Sequence, residues 1–264
     1  MTYNNKVASI RRRLRELESA VVAFSGGVDS AVLAALAHEE LKDNMCAATA
    51  ISPSIPSRDR LIAIGFCREL KIPHVLVETD EFHDPDYASN PKDRCFYCKQ
   101  ALYTSLGKLA GEKGFRFIVE GTNASDLTGH RPGYKASIAV KNVATPLIDA
   151  GMTKDDVRRL ARELHLAVAE KPSSACLSSR IPEGVALTPE LLKRIDDAEE
   201  VIRAAGVSQV RVRHHDDLAR IEISPDEFGT FFEHREKIHK SLQKLGYRFV
   251  TLDVMGYRTG GAQG

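Results

Sequence analysis

No stretch of this 264-residue sequence is apolar for the roughly 20 residues that a membrane-spanning helix needs. Nor does either sign of charge prevail. With 37 basic and 36 acidic residues the chain carries no overall field that would recruit nucleic acid. Internal repeats and low-complexity tracts are missing too. The first residues run directly into a charged helical pattern rather than an apolar signal core, so a cytoplasmic setting is expected. A disulfide framework is excluded on similar grounds: the five cysteines are odd in number, and Cys95 and Cys98 form a Cys-x-x-Cys pair. In a reducing compartment such a pair points to metal, cluster or redox chemistry. Cys46 and Cys67 lie in apolar surroundings and read as small buried hydrophobes.

What is present describes an ordinary globular protein, 43% hydrophobic and 28% charged, long enough to build a substantial core. Over the first 165 residues short apolar runs alternate with helical patterns. Strands are predicted at 21–24, 46–51, 74–77 and 115–120, with helices at 29–38, 57–70, 96–109 and 153–164. Thr153-Lys154-Asp155-Asp156 resembles a capping box with Asp in the fourth place. This alternation predicts a doubly wound parallel α/β sheet. The pattern changes near Lys171-Pro172. Beyond a polar stretch, Thr188-Pro189 opens a helix, 210–213 and 218–223 read as strands around a turn, a broken helix runs to Leu245, and 247–254 is a last strand. The expected division is therefore a nucleotide-binding domain at 1–172 and a smaller α+β domain at 173–264.

A buried strand running into Ser25-Gly26-Gly27-Val28-Asp29-Ser30 and then a helix has the physics of a phosphate cradle. The glycines let the backbone approach an oxyanion, and loop amides together with the helix N-terminus supply positive potential. Ser25 and Ser30 add hydroxyls. Asp29, which cannot donate when ionised, is left to bond loop amides or help hold Mg²⁺. The loop has neither a Gly-Lys-Ser/Thr ending nor Gly-x-Gly-x-x-Gly spacing. It closely resembles the SGGxDS signature of the PP-loop ATP pyrophosphatases, which implies ATP cleavage to pyrophosphate and an adenylated substrate. A plain glycine turn capping a helix is the alternative. Glu120-Gly121-Thr122-Asn123-Ala124-Ser125-Asp126 follows a predicted strand and so falls at the carboxyl end of the sheet, where such folds bind ligands. It resembles a second motif of the same enzymes, which implies Asp126 for Mg²⁺ and Thr122 and Asn123 for the nucleotide.

Three further segments narrow the resemblance: His130 to Ala136, Ser174 to Pro182, and Val210 to Asp216 with Leu218 to Glu222. With the loop they closely resemble the LarE family over nearly the whole chain. That family thiolates pyridinium-3,5-biscarboxylic acid mononucleotide during assembly of the nickel-pincer cofactor of lactate racemase. The resemblance implies adenylylation of a carboxylate, then attack by sulfur to give a thiocarboxylate. Cys176 matches the position at which one branch sacrifices its own sulfur and becomes dehydroalanine. Its serine neighbours and Arg180 are expected to stabilise a thiolate. That branch lacks the Cys95–Cys98 pair, however. Two cysteines three apart plus a distant third suit a 4Fe–4S cluster with one iron open to sulfide. Zinc, a Cys95–Cys98 disulfide and the sacrificial route remain open beside it. Arg211 and Arg213 alternate along a strand and so share a face, placed either to grip a substrate phosphate or to form a solvated surface. Arg131, Lys135 and Arg180 are further candidate anion contacts, with Arg258 weaker; Glu199 and Glu222 are weaker candidates for a divalent metal. The expected partners are a small nucleotide-like substrate, sulfide or another sulfur donor, and like subunits in a homo-oligomer, without nucleic acid or membrane. A tRNA thiolase and a nucleotide sensor without turnover are the competing readings.

Overall fold

The computed structural model describes residues 1–128, 140–172 and 174–258. Two compact units emerge, one made of 1–84 and 93–174, the other of 85–92 and 175–264.

The first unit is built on a five-stranded sheet, all parallel, in the order β3-β2-β1-β4-β5. Its strands are β1 (Ala20–Ala23), β2 (Met45–Ile51), β3 (His74–Glu78), β4 (Phe117–Val119) and β5 (Val143–Ala144). Helices α1 (Tyr3–Leu17), α2 (Val28–Leu41), α3 (Ser57–Glu69), α4 (Arg94–Lys113) and α5 (Lys154–Glu163) connect and cover them. Central β1 is Ala-Val-Val-Ala because both its faces are covered: Val22 enters one apolar cluster with α1 and α2, and Val21 enters another with Tyr103, Leu106 and Ala110 of α4. Burying each valine fully stabilises the sheet by about 1.5–3 kcal/mol. Helix α2 is apolar on nearly every side, with Ala31 to Ala37 all buried, so it is a core helix, and its N-terminus follows the carboxyl end of β1. The doubly wound α/β expectation holds. Two-residue β5 was not foreseen, since Val143-Ala144 is too short to show a period. The capping box is formed as expected: the Thr153 hydroxyl accepts from Asp156 N–H at 3.2 Å, and Asp156 accepts from Thr153 N–H at 3.1 Å.

The second unit carries a three-stranded sheet, order β6-β7-β8. Strands β6 (Val210–His215) and β7 (Leu218–Ile223) form an antiparallel hairpin, and β8 (Phe249–Leu252) runs parallel to β7. Helices α6 (Pro189–Arg203), α7 (Phe228–Glu233) and α8 (Arg235–Lys244) belong to this unit. Thr188 caps α6 by accepting from Leu191 N–H, with Pro189 in the first turn. The hairpin turn is shorter than sequence suggests. Only Asp216 and Asp217 lie outside the ladder, Asp216 at φ 54°, while buried His214 stays paired with Ala219. Among the described residues, no helix is long and apolar enough to cross a membrane.

Candidate functional site

In the first unit the sheet order reverses between β1 and β4, and the loops leaving these two strands lie side by side at their carboxyl ends. Gly121, after β4, shows how closely they approach: a Cβ there would stand 3.0 Å from Ser30 N, so no larger residue fits without displacing the start of α2. Gly26 adopts φ +70°, the left-handed region that favours glycine, and turns the chain from β1 into α2.

The loop is organised by its own hydroxyls. Ser30 Oγ accepts from Ser25 N–H at 3.2 Å and donates to Gly27 O at 3.0 Å, while Ser25 Oγ lies 3.2 Å from Ser30 Oγ. Asn123 then draws two acids together. Its side-chain amide donates to Asp29 at 3.0 Å, and its backbone N–H donates to Asp126 at 3.1 Å. Asp29 also forms an ion pair with Lys154, at the first position of α5. Thr122 donates to Glu120, whose buried carboxylate also accepts from Lys99 at 2.5 Å and Tyr103 at 2.9 Å. Asp29, Thr122, Asn123 and Asp126 therefore gather beside the loop that holds Ser25, Gly26, Gly27 and Ser30.

Two lysines there escaped the sequence reading. Lys154 could have been noticed, since a cation in the first turn opposes the helix dipole and needs a local reason. Lys171 was visible only as part of a domain boundary. It donates to Gly26 O at 3.0 Å and pairs with Asp59 at 2.9 Å.

The second unit gathers charged side chains inside itself. Arg180 is wholly buried and pairs with Glu199 at 2.9 Å. Glu199 also pairs with Arg203 at 3.0 Å and accepts from Val212 N–H at 3.1 Å. Burial alone would raise the Glu199 pKa, but the charges of Arg180 and Arg203 outweigh it and hold the carboxyl below its ordinary range. Arg213 meets Glu222 through two nitrogens, at 3.0 and 2.9 Å, and donates to Ser179 O; Arg220 reaches the same Glu222 at 3.2 Å. Arg211, only 8% exposed, hydrogen-bonds Val210 O, and its guanidinium lies 5.4 Å from the Tyr257 ring centre. Burial, and then the neighbouring Arg180 charge, lower its pKa.

Several expectations change against this geometry. Arg211 and Arg213 do not form a solvated face, because both are buried. Glu199 and Glu222 have arginine partners that account for their burial. Arg180 does not serve the Cys176 thiol but grips backbone: it donates to Ala175 O at 2.7 Å and Cys176 O at 2.9 Å, and Ser179 Oγ donates to Cys176 O at 2.8 Å. Cys176 is half-buried. Cys95 is exposed and Cys98 half-buried at the start of α4, three residues apart and so on one side of that helix. Cys176 belongs to the other unit. No three His, Cys, Asp or Glu side chains gather as a metal-holding group among the described residues. Cys46 and Cys67 are buried as expected, and desolvation pushes their thiols up to about 11 and about 12. His130, Arg131 and Lys135 lie outside the described residues.

The chain matches the asparagine synthase family over residues 7–178, which covers this phosphate loop and its neighbours. It is 34% identical to the pyridinium-3,5-bisthiocarboxylic acid mononucleotide synthase of Lactiplantibacillus plantarum, over 98% of this chain and 94% of that enzyme. The chain belongs to the LarE family. Its first unit is the PP-loop nucleotide domain shared with the asparagine synthase family, and the protein is an ATP-dependent sulfurtransferase. An uncharacterised protein of Synechocystis is 37% identical over 97% of this chain and 96% of its own length. A tRNA-specific 2-thiouridylase of Rickettsia felis is 28% identical, but over only 62% of this chain and 54% of that enzyme.

Proposed function

We propose that this LarE-family protein adenylylates a carboxylate of pyridinium-3,5-biscarboxylic acid mononucleotide and converts it to a thiocarboxylate. What carries the reading is the full-length similarity to a synthase of the corresponding bisthiocarboxylic acid, together with an intact Ser25–Ser30 loop. In the first step a carboxylate oxygen attacks the α-phosphorus of ATP and pyrophosphate leaves. In the second, sulfur attacks the acyl carbon and AMP leaves, carrying the oxygen that alone would be a hopeless leaving group.

This chain's residues suit the first step. Loop amides and the Ser25 and Ser30 hydroxyls orient the phosphates, and Lys154 supplies a cation beside Asp29. The donor set around Asn123 fits Mg²⁺, a hard ion bound through one or two carboxylates together with phosphate oxygens; Asp29 and Asp126 would hold it, and it would neutralise charge on the phosphates. Arg211 and Arg213 are the proposed contacts for the substrate phosphate, with Arg131, Lys135 and Arg180 as further candidate anion contacts. Arg211 is the best placed, since among the described residues it has no carboxylate ion pair.

For the sulfur step we assign Cys95, Cys98 and Cys176 as ligands of a 4Fe–4S cluster. Three thiolates are the donor chemistry such a cluster takes, and it would offer an exchangeable sulfide on its remaining iron. The proposed setting is a cytoplasmic homo-oligomer using sulfide or another small sulfur donor.

Incubating the protein with ATP, Mg²⁺ and substrate should release AMP and pyrophosphate; ADP and phosphate would overturn the adenylylation. Asp29→Ala should lower that release roughly 10- to 100-fold, through weakened holding of Mg²⁺, with a small change in Tm. Anaerobically purified protein should absorb near about 400 nm, and Cys95→Ala, Cys98→Ala and Cys176→Ala should each abolish the band. A colourless preparation whose polypeptide loses the mass of one H₂S per product would instead make Cys176 a single-use donor. Turnover that depends on tRNA would favour the thiolase reading.

A further inference from the structure

Lys171 is 16% exposed in its side chain and its partner Asp59, in the first turn of α3, is 13% exposed, so their 2.9 Å ion pair is poorly screened by water. The same ammonium donates to Gly26 O at 3.0 Å. Its backbone is anchored in turn, because Arg158 donates to Ala169 O at 2.8 Å and Lys171 O at 3.2 Å. Gly26 itself lies against α3, where a Cβ would meet Asp59 O at 3.2 Å and Ala63 Cβ at 3.4 Å. Lysine, α3 and the phosphate loop thus form one packed contact.

A trans peptide carries its C=O and N–H on opposite sides, so holding the Gly26 carbonyl also sets the direction of the Gly27 N–H. That N–H points toward the hydroxyl side of the loop, where it donates to Ser25 Oγ at a long 3.4 Å. An N–H held so loosely is a donor in reserve. A cation bound to the carbonyl polarises the peptide and strengthens that donor. Because Asp59 already neutralises the ammonium, its effect on an anion comes through the peptide more than through its own charge.

We infer that Lys171 is a positioning residue for the ATP-dependent step, fixing and polarising the Gly26–Gly27 peptide so that the Gly27 N–H meets the triphosphate. The inference rests on the reading that residues 25–30 hold ATP. Lys171→Met keeps the length of the side chain and removes the cation. In the full-length protein it should raise the KM for ATP about tenfold or more, as loss of a charge-assisted hydrogen bond does, while the KM for the carboxylate substrate stays unchanged. Lys171→Arg, able to span the same two acceptors, should recover most of the loss. Pyrophosphate release gives the kinetics, thermal melting the stability, and titration of the wild-type protein with Mg-ATP the binding. A lowered Tm with an unchanged KM for ATP would reduce Lys171 to a structural tie and overturn the inference. An equal rise in both KM values, or no rescue by arginine, would do the same. If the wild-type protein binds no Mg-ATP, the loop reading itself fails and this inference with it.

Discussion

In the first unit the interior around the parallel strands is mainly apolar, and the polar groups gathered around the phosphate loop lie at one end of the sheet. In the second unit an apolar cluster around Ile202, Val212, Ile221 and Leu242 shares the interior with full charges: Arg180, Arg211, Arg213, Glu199 and Glu222 are all buried. The first unit offers an anion mainly backbone amides and hydroxyls, which cost little to desolvate. The second holds full charges away from water, and these persist only while each finds partners. A site of the first kind tolerates loss of a side chain with its scaffold intact. In a site of the second kind, binding and folding draw on the same residues.

The contrast is tested most severely at Glu199. Glu199→Ala takes the carboxylate from wholly buried Arg180, leaves Arg203 with Glu200, and should destabilise the second unit by about 3–5 kcal/mol, measured by thermal or denaturant unfolding. A cost near that of a surface substitution would erase the difference between the units. The same residue sets a pH dependence. Its folded-state pKa lies below the ordinary glutamate value, so its contribution is complete above about pH 4.3 and is lost as pH falls through the lower folded-state value. Unfolding monitored from neutral to acid pH should show that loss in the wild type and not in Glu199→Ala.

A smaller effect separates Arg211 from Arg213. Arg213→Met leaves Glu222 with Arg220 alone and should lower stability by roughly 3 kcal/mol. Arg211→Met breaks no carboxylate ion pair among the described residues, so Tm should hardly move, while the KM for the nucleotide-like substrate rises about 10- to 150-fold. An unchanged KM in Arg211→Met would remove Arg211 from the proposed anion site. The smallest effect belongs to the first unit. Thr153→Ala removes the α5 cap and should cost about 1 kcal/mol by chemical denaturation, with pyrophosphate release preserved.

Much of the first unit was legible because its signals are local. The Val21–Phe24 run, the glycine pair and the capping box each declare themselves within six residues. The gathering of Asp29, Asn123 and Asp126 was approachable because each sits in a motif beside a predicted strand. Lys154 and Lys171 were missed for the opposite reason, as their partners lie 125 and 145 residues away in the chain. In the second unit the alternation of Arg211 and Arg213 gave their shared face but not its burial. An arginine on a strand reads as solvent-facing until its counter-ions are known, and Glu222 appears only once the hairpin register is fixed.

The Arg180–Glu199–Arg203 cluster also limits how this sequence can drift. A change at 199 alone takes the carboxylate from buried Arg180 and one of two from Arg203, and a change at 180 abandons the Ala175 and Cys176 carbonyls. Neutral single steps are therefore closed, whereas simultaneous replacement by well-packed apolar residues is energetically open. Descendants of this chain should carry the three positions as an inherited set, or exchange them together.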